Sequence, residues 1–302
     1  MSVQEALILG AVQGLTEFLP VSSSGHLVLV EAMMKLPVES LKSFDIATHV
    51  GTLLALLIYF WRDFEGLIRA FFATIGQVFC QLIGRARRAV GSQHAGGSAR
   101  AGNVLSAELQ SSQKLMIYLV LATIPAIILG VTLGDWLDEM FRHPASVAIF
   151  MIVVGVLFFV AEWVHSRVKA RGVGLREGML MGLAQCLALM PGVSRSGITI
   201  SAGLVQGVKR DEAARFSFLL GSIAIFGAAV FGAVAIMKGK YALPATDTLI
   251  AGITSSFVVG LAAISFLMRF LKKHSLHIFG VYRVILGLVI LYLVNFTGLL
   301  GA

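Results

Sequence analysis

The chain has 302 residues, of which 57% are hydrophobic and only 13% are charged. Soluble domains carry about 25% charged residues, so this composition excludes an ordinary soluble enzyme and indicates that lipid surrounds much of the chain. A formal net charge of +8 would suggest a nucleic-acid partner in a soluble protein. Here lysine and arginine cluster in a few segments between apolar blocks, as in membrane proteins, and we expect no nucleic-acid partner.

The first predicted element, residues 1–44, is an apolar region that a proline, glycine and serine cluster interrupts at Pro20 to Gly25. Proline ends helices, and glycine and serine favour turns. The region therefore predicts two half-length helices with a break between them, as in a re-entrant hairpin. Such a hairpin is stable at membrane depth only where protein or a water-filled cavity satisfies its backbone.

Residues 45–61 are the first predicted membrane span, and residues 62–113 are predicted as a cytoplasmic loop. Within that loop, residues 64–83 place apolar side chains on one helical face, which predicts an interfacial helix; a seventh span is the alternative. Residues 84–112 are rich in glycine, serine, alanine and arginine, which predicts a flexible segment.

A second broken region, residues 172–211, is interrupted at Pro191 to Gly197. Five further apolar stretches have the length of a span, since a span needs roughly 20 apolar residues. They cover residues 114–134, 145–164, 213–237, 247–270 and 279–299. The sequence thus predicts an all-α polytopic membrane protein with six transmembrane helices and two re-entrant helical hairpins.

The two broken regions are similar in sequence. When the first is shifted by 172 positions, Ser22 meets Ser194 and the stretch from residue 5 to residue 25 matches at eight positions. The other matched pairs are Glu5 with Glu177, Gly10 with Gly182, Gln13 with Gln185, Leu15 with Leu187, Val21 with Val193, Ser24 with Ser196 and Gly25 with Gly197. We interpret this as an internal duplication with halves at 1–170 and 171–302.

Each half would contain one hairpin and three spans. An odd number of crossings inserts the second half upside down, so the halves should form an inverted-topology repeat whose broken hairpins face each other near the midplane. The basic segments 62–113, 165–176 and 271–278 fall on one side, which we expect to be cytoplasmic. Both termini and the mouth of the first hairpin would then face the periplasm.

Polar residues inside a bilayer are costly and are candidates for function. Gln13 and Glu17 are four residues apart and share a helix face, so their oxygens could hold Mg²⁺ or Ca²⁺ together with substrate phosphate. The alternative is polar packing between the hairpins.

The two breaks carry small hydroxyl residues and glycine at the predicted starts of half-helices, where free N–H groups bind anions well. Arg195 adds a cation suited to bidentate phosphate contact. Simple helix capping is the alternative for each break alone, but two such breaks facing each other predict a phosphate pocket. Its candidate residues are Ser22, Ser24, Gly25, Ser194, Ser196, Gly197 and Thr199.

Ser23 and His26 are three residues apart, on one face of the second half-helix. A serine and a histidine within hydrogen-bond reach form a nucleophile and its base, although many lone histidines are only satisfied polar groups. Ser23, His26, Glu17 and Arg195 are therefore the candidate catalytic residues.

These stretches resemble one family closely. Residues 13–26 are similar to the glutamate-rich motif of the undecaprenyl-diphosphate phosphatases, the bacitracin-resistance family, and residues 191–199 are similar to its second motif. The resemblance covers essentially the whole chain. It implies hydrolysis of undecaprenyl diphosphate in the bacterial inner membrane, which recycles the lipid carrier for cell-wall synthesis. It also implies a divalent cation and an active site open to the periplasm.

By position, the acidic residues of the family's first motif fall on Gln13 and Glu17, and its serine and histidine fall on Ser23 and His26. The groups of the second motif fall on Ser194, Arg195 and Thr199. Glutamine at position 13 is a variant that the motif admits, so cation binding depends more on Glu17.

Two other classes of function are compatible with part of the pattern. A transporter also uses inverted repeats with broken helices at the midplane, but an anion transporter has no need of Ser23 and His26 beside Glu17. A structural membrane subunit would not need costly polar residues at both breaks. Whether serine, histidine or water attacks phosphorus stays open, as does the oligomeric state, a homodimer included.

Overall fold

The structure is a computed structural model that describes residues 1–34, 36, 38–89 and 103–296. Regular structure in these residues is helical, apart from one isolated bridge between Arg171 and Val208. The helices are α1 Val3–Phe18, α2 Ser23–Met33, α3 Val38–Tyr59, α4 Trp61–Ala89, α5 Asn103–Phe141, α6 Pro144–His165, α7 Leu175–Leu187, α8 Arg195–Val205, α9 Arg210–Met237, α10 Thr246–Phe270 and α11 His277–Phe296.

Six helices of the described chain are long and apolar enough to cross a membrane, which confirms the predicted all-α class and the predicted number of spans. They are α3, α5, α6, α9, α10 and α11. Helix α4 is not among them, so the alternative of a seventh span in this part of the chain is not supported.

The predicted cytoplasmic loop is largely helical. Helix α4 includes residues 61–89, and α5 begins at Asn103, so that the flexible segment predicted at 84–112 is helical at both ends. Residues 90–102 lie outside the described part of the chain. The correction has a simple cause: arginine, alanine and glutamine favour helices as well as solvated loops, and composition alone does not separate the two.

Both broken regions form two short helices, as predicted. Helix α1 ends at Phe18 and α2 begins at Ser23, while α7 ends at Leu187 and α8 begins at Arg195. The matched serines at the two breaks, Ser22 and Ser194, have φ angles of 78° and 70°. Residues with a Cβ avoid this left-handed region, at a cost of order 1–3 kcal/mol, so the same strained turn is held at both breaks.

Two matched residues explain how these short helices begin. The Glu5 carboxylate accepts a hydrogen bond from the Ser2 backbone N–H at 2.6 Å, and the Glu177 carboxylate accepts one from the Gly174 N–H at 3.2 Å. Each glutamate therefore satisfies an N–H that the helix itself leaves unpaired.

The matched glycines mark equivalent helix contacts. Helix α1 packs against α10 and α7 packs against α5. A Cβ at Gly10 would overlap the Gly252 carbonyl oxygen, and a Cβ at Gly182 would overlap the Ala122 carbonyl oxygen. Small residues let helix backbones come this close, which is how helices associate in lipid. The inverted orientation of the two halves stays a prediction.

Arg283, in α11, is buried between the two breaks, with an exposed fraction of 0%. Its guanidinium donates to backbone carbonyl oxygens of both breaks and of α6. The acceptors are Gly192 at 2.7 Å, Met151 and Val193 at 3.2 Å, and Pro20 and Phe150 at 3.4 Å. A non-helical backbone inside a membrane protein needs such internal donors, and Arg283 supplies them for both breaks at once.

Topology provides a first test. A reporter fused after Ala302 and a reporter inserted between residues 90 and 105 should report opposite sides of the membrane, because the basic segments orient the chain. The measurement uses paired alkaline phosphatase and green fluorescent protein fusions. The same side for both positions would rule out the inverted repeat.

A second test replaces Arg283 by methionine. The change leaves several buried carbonyl oxygens without donors, each costing about 1–3 kcal/mol, so the unfolding temperature in detergent should fall by roughly 6 °C or more. Arg269→Met, at an exposed position of α10, is the matched control and should leave the unfolding temperature within about 2 °C. Equal effects of the two variants would contradict the bracing role of Arg283.

Candidate active site

Glu17, near the end of α1, is the centre of the polar contacts between the two breaks. Its side chain is 8% exposed. One carboxylate oxygen, Oε1, accepts from Arg195 Nη2 at 2.6 Å. The other, Oε2, accepts from Ser23 Oγ at 2.8 Å and from Gln13 Nε2 at 3.1 Å. A buried carboxylate needs several donors of this kind to stay ionised, and α1, α2 and α8 each supply one.

Arg195, the first residue of α8, extends from the second break to the first. Besides its contact with Glu17, its Nη1 donates to the Gly221 carbonyl oxygen of α9 at 2.5 Å. Its side chain is 15% exposed, so the guanidinium is partly open to a ligand. The structure thus brings three of the candidate catalytic residues, Ser23, Glu17 and Arg195, into one connected group.

His26 does not pair with Ser23 as its spacing predicted. Its Nδ1 lies 2.7 Å from the Ser22 carbonyl oxygen and its Nε2 lies 2.7 Å from the Tyr282 hydroxyl. Because a carbonyl oxygen only accepts, Nδ1 carries the proton and Nε2 faces Tyr282. The correction has a geometric reason: one helical turn brings two Cα atoms together, but the side chains leave the helix in different directions.

The remaining hydroxyls at the first break make contacts within the protein. Ser22 Oγ accepts from the Gly25 N–H at 3.3 Å and lies 3.3 Å from Ser24 Oγ. Ser24 Oγ in turn accepts from the Gly192 N–H of the second break at 3.0 Å. The Ser22 hydroxyl thus caps the start of α2, which was the alternative to phosphate binding. The Ser24 hydroxyl links the two breaks directly.

The second break is built in the same way. Ser194 Oγ accepts from the Gly197 N–H at 3.2 Å and lies 3.3 Å from Ser196 Oγ. Ser196 Oγ donates to the Leu19 carbonyl oxygen of the first break at 3.4 Å. The first N–H groups of α2 and α8 have no helical partner, and the breaks bring these two helix starts together.

Thr199 lies inside the protein, with an exposed fraction of 0%. Its hydroxyl donates to the Arg195 carbonyl oxygen at 2.7 Å and lies 2.5 Å from Ser217 Oγ. The predicted phosphate contact of Thr199 therefore finds no support in this geometry, and its contacts instead join α8 to α9.

A cavity of about 470 Å³ opens beside Ser23 and Ser24. Charged side chains line part of it, namely the basic Lys42, Arg142 and Lys240 and the acidic Asp45 and Asp138. Apolar side chains of α2, α3 and α9 line another part, including Leu27, Val28, Ile46 and Phe231. A cavity with both surfaces fits a molecule that has an anionic head and an apolar tail.

Two further polar residues, His49 and Asp45 of α3, also lie near the site. His49 Nε2 is 3.7 Å from Glu17 Oε2, and its Nδ1 is 2.7 Å from the Asp45 carbonyl oxygen. The Asp45 carboxylate lies 4.0 Å from Arg142, which also donates to Asp138 at 3.2 Å. His49 thus lies beside the Glu17 carboxylate, whereas Asp45 lies at the cavity wall.

The cation prediction can be compared with the oxygen atoms of the site. Gln13 Oε1 is buried next to Glu17 and has no hydrogen-bond partner, which suits an oxygen ligand of a hard cation. No group of three or more histidine, cysteine, aspartate or glutamate side chains in the described chain could hold a metal ion by itself. Gln13 and Glu17 therefore fit as a partial ligand set that substrate oxygens would complete.

The residue patterns did not identify Tyr282 and Arg283 as part of the site. The Tyr282 hydroxyl lies 2.7 Å from His26 Nε2. The Tyr282 ring lies nearly parallel to the imidazole, with ring centroids 5.7 Å apart. A signal was present for Arg283, since an arginine in an apolar span is a functional candidate by default. No local pattern connects Tyr282 to His26, 256 residues away.

A family model described as bacitracin resistance protein BacA matches residues 6–289. A protein of Geotalea daltonii named undecaprenyl-diphosphatase is 38% identical, covering 98% of this chain and 100% of that protein. Proteins of the same name from Desulforudis audaxviator and Methanosphaera stadtmanae are 38% and 34% identical, covering 99% and 97% of this chain and 100% and 98% of their own lengths.

The family match extends over nearly the whole chain, and it includes both breaks and the Glu17, Ser23 and Arg195 contacts described above. The chain therefore belongs to the bacitracin resistance protein BacA family.

Proposed function

We propose that the protein hydrolyses undecaprenyl diphosphate to undecaprenyl phosphate and inorganic phosphate where the two helix breaks meet. The observation that carries this proposal is the contact of one carboxylate, Glu17, with both a hydroxyl and a guanidinium, Ser23 at 2.8 Å and Arg195 at 2.6 Å. A nucleophile, its base and a cation for phosphate are what phosphoryl transfer requires.

In this proposal the substrate's terminal phosphate binds Arg195 and the N–H groups at the start of α8. The guanidinium then leaves Glu17 for the phosphate, because a diphosphate carries more charge than one carboxylate. Glu17 Oε2 would stay on the Ser23 hydroxyl, where it is placed to act as the base, and Oε1 would become free for another ligand.

The first chemical step follows from this arrangement. Ser23 Oγ attacks the terminal phosphorus while its proton passes to Glu17, and the bond from phosphorus to the bridging oxygen breaks. Undecaprenyl phosphate leaves with the electron pair of that bond, and phosphate stays on the serine. Water then attacks the phosphoserine, inorganic phosphate leaves, and Glu17 returns the proton to the Ser23 oxygen.

His26 has a different role from the one that its spacing suggested. With Nδ1 on the Ser22 carbonyl and Nε2 on Tyr282, it is held at the first break instead of against the Ser23 hydroxyl. We propose that it supports the strained turn at Ser22 and that Glu17, not His26, takes the proton of Ser23. Direct attack by His26 is the alternative that variant kinetics can distinguish.

The substrate class follows from the cavity. Its two lysines, Lys42 and Lys240, suit the prenyl-side phosphate, while Arg142 is paired with Asp138; its apolar wall suits the first isoprene units. The resemblance to named undecaprenyl-diphosphatases supports the same class of lipid. The proposed location is the bacterial inner membrane, with the site facing the periplasm; the proposed roles are recycling of the cell-wall lipid carrier and bacitracin resistance.

A divalent cation, Mg²⁺ or Ca²⁺, belongs to the proposal through Gln13 and Glu17. Such a cation would neutralise part of the charge of the bound diphosphate. The chain's own part is to present the unpaired Gln13 Oε1 and the Glu17 carboxylate as oxygen ligands.

Ser23→Ala and Arg195→Ala should each lower turnover by at least roughly 100-fold, because each removes a group that acts in the transition state. Ser24→Ala is the matched control: it has the same residue type at the same break, and it should stay within about tenfold. The measurement is phosphate release from undecaprenyl diphosphate by the purified proteins in detergent.

The same assay separates the two nucleophiles. Near-normal turnover of Ser23→Ala together with an inactive His26→Ala would overturn the serine mechanism and favour histidine. A fully active Arg195→Ala would show that the two breaks do not form one active site.

The cation proposal has its own test. Chelation by EDTA should abolish phosphate release, and added Mg²⁺ or Ca²⁺ should restore it, because Arg195 alone does not neutralise the charge of the terminal phosphate. Gln13→Leu, which removes the unpaired oxygen, should raise the cation concentration needed for half-maximal activity by roughly tenfold, about 1.4 kcal/mol. Full activity in EDTA would exclude a required cation.

A further inference from the structure

Helix α4 carries an exposed apolar stripe. Its members are Ile68, Phe71, Phe72, Ile75 and Phe79, which are 57%, 51%, 67%, 50% and 63% exposed. Their spacing places them on one face of the helix. Five large apolar side chains in a row would be unfavourable in water, so this face requires a cover.

The opposite side of α4 contacts α5. Ala70 is fully buried there, and Gly66 faces Ser112. The stripe therefore points away from the neighbouring helix, and neither α5 nor any other described helix supplies its cover.

The direction of α4 follows from its contacts. Gly66 faces Ser112, while Thr74 and Gln77 lie 3.1 and 3.3 Å from Gln113 Nε2. Eight to eleven residues of α4 correspond to about 12–16 Å, but only one residue of α5 is passed over that distance. Helix α4 thus crosses α5 steeply instead of running alongside it.

The crossing lies near one end of a membrane span. Residues 107–134 of α5 form the span, and α4 crosses at Ser112 and Gln113, a few residues inside it. The preceding span, in α3, ends at Tyr59, directly before α4. A bilayer around these spans would therefore place α4 along its surface.

The end of α4 is basic. Arg69 pairs with Glu65 at 2.5 Å, but the helix has no acidic residue after Glu65. The remaining arginines after Glu65 in this helix are Arg85, Arg87 and Arg88. Basic residues on an amphipathic helix next to a span are typical of segments that bind anionic lipid headgroups.

We propose that α4, with the arginines near its end, forms a binding surface for anionic phospholipid. The stripe would lie at the boundary of headgroups and acyl chains, and the arginines would contact lipid phosphate. The surface is separate from the proposed active site and does not depend on the proposed reaction. A second copy of the chain or bulk water are the other occupants that the experiment distinguishes.

The test uses spin labels on the full-length protein, with Cys80 and Cys186 replaced by serine. Labels at Phe72→Cys and Phe79→Cys are compared with a lipid reference, Val131→Cys on the exposed side of α5, and a water reference, Lys273→Cys. The protein is reconstituted in phosphatidylcholine vesicles with and without phosphatidylglycerol. Power saturation measures access of oxygen, which enters lipid, and of a nickel chelate, which stays in water.

With phosphatidylglycerol, the oxygen-to-nickel ratio at both stripe positions should lie within about twofold of the Val131 reference. The variant with Arg85→Gln, Arg87→Gln and Arg88→Gln should lower that ratio by at least roughly tenfold, because each arginine near an anionic surface contributes about a factor of five in binding. In vesicles of phosphatidylcholine alone, the chain with its arginines intact should show a similarly lowered oxygen-to-nickel ratio.

Three results would overturn the proposal. Nickel access at Phe72 and Phe79 equal to the Lys273 reference would place the stripe in water. Exclusion of both oxygen and nickel would mean a protein cover, such as a second copy. Equal ratios with and without phosphatidylglycerol, and with and without the three arginines, would remove the role of lipid charge.

Discussion

Glu17 and Arg195 are 178 residues apart in the chain, and their side chains meet at 2.6 Å because the two helix breaks lie against each other. An ion pair inside a membrane protein is stable only when both groups have further partners. Gln13 and Ser23 donate hydrogen bonds to the carboxylate, and the Gly221 carbonyl accepts one from the guanidinium. The proposed chemistry depends on this pair, since it holds a base and a phosphate-binding cation next to one hydroxyl.

The two breaks can meet only if their backbones are satisfied without water. Arg283 donates to carbonyl oxygens at both, Ser24 accepts from the Gly192 N–H, and Ser196 donates to the Leu19 carbonyl. Ser22 and Ser194 hold the left-handed turns that change the direction of the chain. Several residues that first suggested phosphate binding thus have a second task, which is to make a non-helical segment stable inside the protein.

Predictions from local spacing were reliable where the interaction is also local. Gln13 and Glu17 lie one turn apart on α1, and their side chains are in contact at 3.1 Å. Ser23 and His26 have similar spacing, yet Ser23 turns to α1 while His26 turns to the Ser22 carbonyl and Tyr282. Spacing limits which side chains share a face, but neighbouring elements decide which partner each side chain takes.

The sequence by itself determined the all-α class, the six spans, the two broken regions and the candidate residues for the chemistry. These follow from hydrophobic length, from proline and glycine, and from the cost of polar groups in lipid. Only the tertiary structure decided that Glu17 receives the Ser23 hydroxyl, that Thr199 is buried against Ser217, and that Tyr282 and Arg283 belong to the site. Those contacts join residues of different helices, and they form only when α1, α2, α8, α9 and α11 are packed together.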